Sequence, residues 1–299
     1  MHNLSKEEIS DWFQNLQNSI CDGLENLDGQ SVFHEEAWDR PEGGGGKTRT
    51  FRNGNLIEKG GVNFSAVHGP TPAKILNALK LKEADFFATG VSIVLHPENP
   101  WVPIIHMNVR YFEMDSGIWW FGGGIDLTPH IILKEKAKDF HIVLKSICDV
   151  HSDTYYPKFK AWADDYFYLS HRDETRGIGG IFFDRLSEDE NFSKTQRWDF
   201  VRDLGSAFVS IYTQAVSELR DKKWTEKDKQ WQEIRRGRYV EFNLVHDKGT
   251  KFGLDTNGRT ESILVSMPPQ AKWEYNHIPD SHEYLNTLSM LKKGVDWIK

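Results

Sequence analysis

The chain has 299 residues, of which 38% are hydrophobic and 13% aromatic, so it is long enough to bury one large core or two smaller ones. Its formal net charge of −7 argues against a nucleic-acid-binding surface, and no apolar run reaches the roughly 20 residues that a membrane span requires. Two cysteines, Cys21 and Cys148, with no CxxC spacing indicate neither a disulfide framework nor a thiolate zinc site. The start is polar and acidic, unlike a signal or transit peptide, so we expect a reduced, cytoplasmic location.

The first predicted element is an amphipathic helix over residues 5–28. Ser5 and Glu8 have the spacing of a capping box, in which each residue satisfies a hydrogen-bonding group of the other. Apolar residues recur after them at intervals of three and four, as on the buried face of a helix. We therefore expect this helix to pack one side against the core.

A run of four glycines at 43–46 follows this helix. The letters GKT at its end belong to the phosphate-loop pattern, but position 41 is Pro where that pattern needs Gly, and no apolar strand precedes it. A nucleotide site is therefore disfavoured. The expectation instead is a mobile glycine loop whose cationic residues, Lys47, Arg49 and Arg52, close over an anionic ligand.

The stretch from Trp101 to Pro129 has the pattern of strands that frame a pocket. Its alternation places His106, Asn108 and Arg110 in line on one face of a strand and apolar residues on the other. A Trp-Trp-Phe run, three glycines and Asp126 follow. This concentration of polar, aromatic and glycine residues favours a ligand site, although an edge strand with one solvated face gives the same alternation.

The remaining elements are helices and strands with short connections. The pattern predicts strands at 86–95, 118–121, 238–247 and 259–267, and the last two form a hairpin that turns at Gly249. It predicts helices at 134–150, 155–169, 194–220, 226–236 and 281–292, and another that begins at Thr71-Pro72. Because short connections imply antiparallel pairing, the expected architecture is α+β, with a single domain over 1–299 and a large antiparallel sheet.

Two residues admit a structural as well as a functional interpretation. His141 lies in the apolar stripe of the helix predicted at 134–150, where a histidine usually has its hydrogen bonds satisfied inside the core. Asp247 comes two residues before Gly249, so it either takes part in chemistry or caps that turn.

Five segments of the chain carry distinctive motifs. They are EKGGVNFS at 58–65, HMNVRYFE at 106–113, WWFGGGIDLTP at 119–129, KAWADDYFYLSHRDETRGIGGIFFD at 160–184, and the span 236–269. In this order they resemble the oxygen-dependent coproporphyrinogen III oxidase family, and the resemblance covers nearly the whole chain. Three departures from the family pattern are Ala163, where the signature usually has Cys, Lys248, where Arg is common, and Lys47 with Thr48, which alter the usual run after the glycines.

The resemblance implies an enzyme of haem biosynthesis. Its substrate, coproporphyrinogen III, would lose two propionate carboxylates as CO2 and gain two vinyl groups, giving protoporphyrinogen IX. Dioxygen would be the co-substrate that accepts the electrons and leaves as hydrogen peroxide, with no organic cofactor. The chain accordingly carries no dinucleotide fingerprint. The resemblance also implies that α-helices flank the antiparallel sheet on both faces. It further implies a homodimer, with residues 239–274 contributing to the contact.

The resemblance assigns site residues by position. Substrate would be bound by Ser92, Asn108, Val109, Arg110, Gly258, Arg259 and Thr260. His106 would act as acid or base, and Asp247 and Asp126 would hold pyrrole N–H groups and help to deprotonate one. The arginines suit propionates because a guanidinium pairs bidentately with a carboxylate.

A metal set is implied as well, formed by His96, His106, His141 and His171. Their local settings differ and no pair has the helical spacing of a known metal motif, so we predict that a divalent metal is not essential for turnover. Two other classes of protein share these features. A non-catalytic tetrapyrrole carrier would use the same pocket without ordered acid–base groups, and a metal-dependent hydrolase would use the histidines.

Overall fold

An antiparallel sheet of seven strands lies at the centre of the computed structural model, which describes residues 4–71, 76, 82–255 and 258–299. In sheet order the strands are β1 His34–Asp39, β2 Gly44–Arg52, β3 Ile57–Pro70, β4 Asp85–Pro97, β5 Ile104–Met114, β6 Trp119–Thr128 and β9 Gly180–Leu186. A separate two-stranded ribbon consists of β7 Tyr168–Leu169 and β8 Glu174–Thr175. Neighbours in the sheet are antiparallel throughout, so each residue keeps its face across the strands.

Helices flank this sheet on both faces. They are α1 Lys6–Asp28, α2 Lys134–His151, α3 Tyr155–Tyr166, α4 Lys194–Ser206, α5 Phe208–Val216, α6 Glu226–Glu241, α7 Lys248–Asp255, α8 Thr260–Leu264 and α9 His282–Met290, and a π-helical turn at Phe242–His246 continues α6. Among the helices of the described residues, none combines the length and apolarity that a membrane crossing needs. The α+β architecture predicted from the sequence is thereby confirmed.

The main core lies between the apolar face of the sheet and helices α1, α2, α4 and α5. The β5 side chains that point to this face, Ile105, Met107 and Val109, are fully buried. Gln17 of α1 donates its amide to the carbonyl oxygens of Lys47 and Val62 at 2.9 and 2.8 Å, which fixes the helix over β2 and β3. The polar side chains of β5 point to the opposite face of the sheet.

The N-terminal helix begins as predicted. The Ser5 hydroxyl accepts a hydrogen bond from the Glu8 amide at 3.2 Å, and the Ser5 amide donates to the Glu8 carboxylate at 2.9 Å. The predicted apolar stripe is buried against the core. Helices α2 and α9 agree with their predicted bounds to within a few residues, and most of the helix predicted from Thr71-Pro72 lies outside the described residues.

The glycine-rich segment is a strand, and the expectation of a mobile loop is wrong. β2 pairs along its length with β1 and β3, neither of which was predicted, and Arg49 pairs with Glu35 of β1 at 2.7 Å. Glycine has low strand propensity, so the pattern gave no strand signal. The close backbone approach nevertheless requires it, since a Cβ on Gly45 would lie 2.2 Å from the carbonyl oxygen of Trp38.

The hairpin predicted over 238–267 is also wrong, because this part of the chain is helical in α6, the π-helical turn, α7 and α8. Buried residues of α6 recur at helical spacing, at Trp231, Arg235 and Tyr239. Arg236 is fully buried too and pairs with Glu58 at 2.6 Å. Buried arginines interrupt the apolar stripe of α6, so its helical periodicity is not visible in the sequence. The alternation of apolar and polar residues that predicted a strand at the end of α6 arose by chance.

Several other boundaries differ from the prediction. The helix expected at 194–220 is two helices that meet at Ala207. Gly205, two residues earlier, lowers helix propensity and packs closely on α1. The helix expected at 155–169 ends at Tyr166, and the strand expected at 118–121 continues to Thr128.

Candidate active site

A cavity of about 300 Å³ lies on the polar face of the sheet. Its floor follows the strand register, because Asn63, Ser92, Asn108 and Gly124 stand opposite one another on β3 to β6. Its walls come from the end of α3, β9, α6 with its π-helical turn, and the segment around α8. They include Tyr166, Phe167, Phe182, Tyr239, Asn243, Ser262, Ile263, Val265 and Ser266. The row of His106, Asn108 and Arg110 inferred from the alternation therefore lines a cavity.

His106 is backed by a buried ion pair. Its Nδ1 lies 2.8 Å from a carboxylate oxygen of Asp126, the residue opposite it on β6. Arg176 donates to both oxygens of that carboxylate at 2.7 and 2.6 Å, and both partners of this pair are 2% exposed. The Arg176 guanidinium lies over the rings of Phe167, Tyr239 and Phe242, at 4.4 to 4.7 Å from their centroids. Three aromatic rings thus surround the guanidinium of this buried pair.

The protonation of this group follows from its surroundings. Burial alone would raise the pKa of Asp126, but the charge of Arg176 and the hydrogen bond from His106 outweigh it and lower that pKa. An ionised carboxylate only accepts hydrogen bonds, so Nδ1 of His106 carries the proton of the shared bond. Nε2 is then the ring atom left for proton transfer, as in other carboxylate-oriented histidines.

Asp247 lies on the opposite wall, just before α7. Its carboxylate accepts a hydrogen bond from the Tyr166 hydroxyl and another from the Thr250 amide, both at 2.7 Å. Burial acts to raise the pKa of Asp247, but these hydrogen bonds lower it overall. The two interpretations of Asp247 are compatible, because it caps the first turn of α7 and also lines the cavity.

The other predicted substrate-binding residues divide into two groups. Ser92, Asn108 and Arg110 line the cavity, whereas the side chain of Val109 points to the opposite face and is fully buried in the core. Any contact of Val109 with a ligand would therefore involve its backbone.

The triplet 258–260 lies beside the cavity rather than in its lining. Arg259 forms an ion pair with Glu36 of β1 and donates to the Ser262 hydroxyl at 3.4 Å. The Gly258 amide donates to the carbonyl of Gly253 at 2.8 Å, and Thr260 is the first residue of α8. This triplet holds α8, whose Ser262 does line the cavity.

The four histidines of the implied metal set have separate environments. His141 is buried and bonds to the Tyr156 hydroxyl and the Ile178 carbonyl, both at 2.9 Å, as a satisfied core histidine does. His96 is buried against the Ser266 carbonyl, and His171 contacts Glu241 at the surface. Within the described ranges, no three His, Cys, Asp or Glu residues lie close enough to hold a metal ion. These residues do not fit a shared metal site.

Glu241 accepts several hydrogen bonds from the residues around His171. Its carboxylate accepts hydrogen bonds from Arg172 at 2.7 and 2.8 Å, from His171 at 2.8 Å and from the Trp273 indole at 2.8 Å. Burial acts to raise the pKa of Glu241, but these donors lower it from 4.5 to about 2.

This pKa predicts acid sensitivity. The depressed pKa of Glu241 adds stability above pH 4.5, and that stability is lost as the pH falls from 4.5 toward about 2. We expect Glu241→Gln to flatten the acid limb of stability against pH in this window, measured by urea unfolding at several pH values. Glu135→Gln, on α2, is the control; an equal change in both variants would contradict the prediction.

Arg176 is the main site residue that the sequence did not single out. It lies within the motif at 160–184, but a charged residue in a segment of mixed charge carries no periodic signal. Asn243, which accepts from Arg176 at 3.0 Å, was assigned to a strand. Tyr166 and Phe182, whose stacked rings have centroids 4.1 Å apart, lie in the same motif at 160–184. The signal in the sequence that could have identified Arg176 is the presence of several aromatic residues in the same motif.

The antiparallel sheet, the cavity on its polar face and the carboxylate-backed imidazole of His106 define an enzyme-type site. The model of the coproporphyrinogen III oxidase family matches residues 8–297. The chloroplastic coproporphyrinogen-III oxidase 1 of Arabidopsis thaliana is 48% identical over 279 residues, which cover 88% of this chain and 72% of that protein. The oxygen-dependent coproporphyrinogen-III oxidase of Prochlorococcus marinus is 44% identical over 319 residues, covering 98% and 92%. The chain belongs to the coproporphyrinogen III oxidase family, which confirms the family inferred from the motifs.

Proposed function

We propose that this chain catalyses the oxygen-dependent conversion of coproporphyrinogen III to protoporphyrinogen IX. In each of two steps a propionate loses CO2, one proton and two electrons and becomes a vinyl group. Dioxygen takes the two electrons and two protons and becomes hydrogen peroxide. The oxygen-dependent relative, alike over nearly the whole chain, supports dioxygen as co-substrate.

The observation that carries this proposal is the oriented imidazole on the cavity floor. The buried Asp126–Arg176 pair holds His106 through Nδ1, and the ring lines the cavity beside Asn108. General acid–base catalysis uses a side chain that is held in position beside the reacting group, and the buried pair holds His106 in this way. The reaction releases and consumes protons, so we assign His106 as its acid or base.

The other residues bind and orient the tetrapyrrole. We propose that Arg110 pairs with a propionate, and that Ser92 and Asn108 contact the substrate from the floor. Asp247 can accept a pyrrole N–H from the opposite wall, since its carboxylate lines the cavity. Asp126 has both oxygens bonded to Arg176 and His106, so we propose that it positions His106 instead of holding a pyrrole.

Product fluorescence tests the proposed activity. Purified protein is given coproporphyrinogen III with and without oxygen, and protoporphyrin is measured after oxidation of the quenched samples, together with peroxide. We expect oxygen-dependent product and one peroxide per CO2. Binding without turnover would indicate the carrier, and equal turnover under strict anaerobiosis would exclude an oxygen-dependent oxidase.

The proposed reaction routes no step through a metal. We predict that dialysis against a strong chelator leaves turnover unchanged, because the four histidines are held by other partners or lie apart. Metal content is measured on the same dialysed sample. Activity that disappears with the metal and returns with one added divalent ion would refute this prediction.

We propose further that the protein is a homodimer that uses part of the span 239–274. Large apolar side chains of this span are exposed, among them Leu244, Val245, Phe252, Leu254 and Trp273. Exposed apolar residues grouped in one segment are typical of protein–protein interfaces. The π-helical turn and α7, rather than the strands that we expected, present these residues, except for Trp273, which lies between α8 and α9.

Light scattering tests the dimer. We expect the mass of two chains at micromolar protein, and a shift toward one chain in the variant Leu244→Glu/Val245→Glu. Ile142→Glu on α2 is a matched control, since Ile142 is 40% exposed and Leu244 45%. A wild-type protein with the mass of one chain would contradict the proposal, as would an equal shift in the control.

We also propose that the chain forms a single domain and that the protein is cytoplasmic. The family match over 8–297 supports one oxidase domain. Cys21 and Cys148 are unpaired and buried, which supports a reducing location such as the cytoplasm.

A further inference from the structure

We propose that Asp184 is a positioning residue that holds the Arg110 guanidinium ready for a substrate propionate. The inference rests on the proposed function, in which Arg110 binds a carboxylate. Asp184 is the last residue of the motif at 160–184, and the site described above does not use it. It lies on β9, across β6 from Arg110 on β5.

The contact between the two side chains is direct. Nη2 of Arg110 donates to Oδ1 of Asp184 at 2.8 Å. The side chains are 42% and 31% exposed, so the pair lies at the cavity margin and is in contact with solvent. On its other side, Nη1 of Arg110 lies 3.5 Å from the Asn108 amide oxygen. The guanidinium is therefore held by Asp184 and only weakly by Asn108.

A glycine between the two strands creates the space for this contact. A Cβ on Gly122 would lie 2.7 Å from Nε of Arg110 and 2.7 Å from Oδ1 of Asp184. Gly90, opposite Arg110 on β4, is also crowded, because a Cβ there would lie 2.9 Å from Cβ of Arg110. The side chain of Arg110 thus lies between two glycines and can cross β6 to reach Asp184.

This arrangement has a consequence for binding. An exposed arginine loses rotamer freedom when it pairs with a ligand, and a partner that already fixes it reduces that loss. The guanidinium carries five N–H groups, so one bond to Asp184 leaves others for a carboxylate. The role is one of orientation, so we expect its loss to affect substrate binding more than the chemical step.

Three substitutions test the inference. We expect Asp184→Ala to raise KM by about 10-fold, as when a hydrogen bond to a charged group is lost, and to leave kcat nearly unchanged. Asp184→Asn keeps an accepting oxygen and is expected to have a smaller effect. Gly122→Ala should raise KM by a similar factor. The added methyl group meets only the ends of the Arg110 and Asp184 side chains, so we expect the fold to be retained, which thermal melting checks. Asp149→Ala, which removes an ion pair on α2, is the control.

Binding of coproporphyrin III, the oxidised and unreactive tetracarboxylate, gives a second readout that does not require turnover. We expect its Kd to rise with KM in Asp184→Ala and Gly122→Ala, and a combined variant to be no weaker than either alone. An unchanged or lower KM in Asp184→Ala would overturn the inference; a lower value would show that Asp184 competes with the propionate. If wild-type protein does not turn over coproporphyrinogen III, that result contradicts the proposed function. The Kd of coproporphyrin III still tests the role of Asp184, so the two outcomes can be told apart.

Discussion

Replacing Arg176 with methionine is expected to lower the free energy of unfolding by about 3–5 kcal/mol, the cost of leaving one charge of a buried pair without its partner. The physical reason is the environment of Asp126, which is 2% exposed and bonded through both oxygens to this guanidinium. The rings of Phe167, Tyr239 and Phe242 surround the position of the guanidinium, and the neutral methionine side chain would leave the carboxylate with only His106 as a partner. Urea unfolding at neutral pH measures the change.

Two controls make this result specific. Arg202→Met removes an exposed ion pair with Asp199 at 3.1 Å, and its cost should stay within about 1 kcal/mol. The double variant Asp126→Leu/Arg176→Met removes both charges and should recover part of the stability, since an apolar pair of similar volume avoids the unpaired charge. If Arg176→Met costs no more than Arg202→Met, the pair does not stabilise the fold.

Replacing His106 with alanine is expected to lower kcat by about 10²–10⁴-fold, the usual cost of losing a positioned acid or base. KM should change little, because Arg110, Asn108 and Ser92 stay in place on the cavity floor. His106→Asn is a more demanding variant, since its amide can still donate to Asp126 but cannot exchange a proton. Steady-state kinetics with coproporphyrinogen III, under air, measures both variants.

The matched control for this prediction is His34→Ala, an exposed histidine on the edge strand β1. It should retain wild-type kinetics. A His106 variant that keeps its rate and shows only a raised KM would make His106 a binding residue, and the acid–base assignment would be withdrawn.

Some features of this site were predictable from short stretches of sequence. The alternation of β5 placed His106, Asn108 and Arg110 on one face, because side-chain direction in a strand repeats every two residues. The Ser5–Glu8 capping box marked the start of α1 for an equally local reason. His141 was correctly placed in the core from its position in an apolar stripe.

Other features depended on contacts between distant parts of the chain. Arg176 and Asp126 are 50 positions apart, and Asn243 is 67 positions from Arg176. Nothing in the local pattern around any of them indicates these partners. The same holds for Arg110 and Asp184, which are 74 positions apart. They meet because their strands both pair with β6, where Gly122 leaves room for the contact.

By itself the sequence determined the family, the α+β class, the polar face of β5 and the location of the helices with uninterrupted apolar stripes. The tertiary structure decided that 238–264 is largely helical, that the glycine run is a strand, and which charges are buried. The physical reason is that burial of a charge depends on a partner, and the partner of Arg236, Glu58, lies 178 positions away. A periodic pattern records only the direction of neighbouring side chains, so it cannot show which arginines face the core.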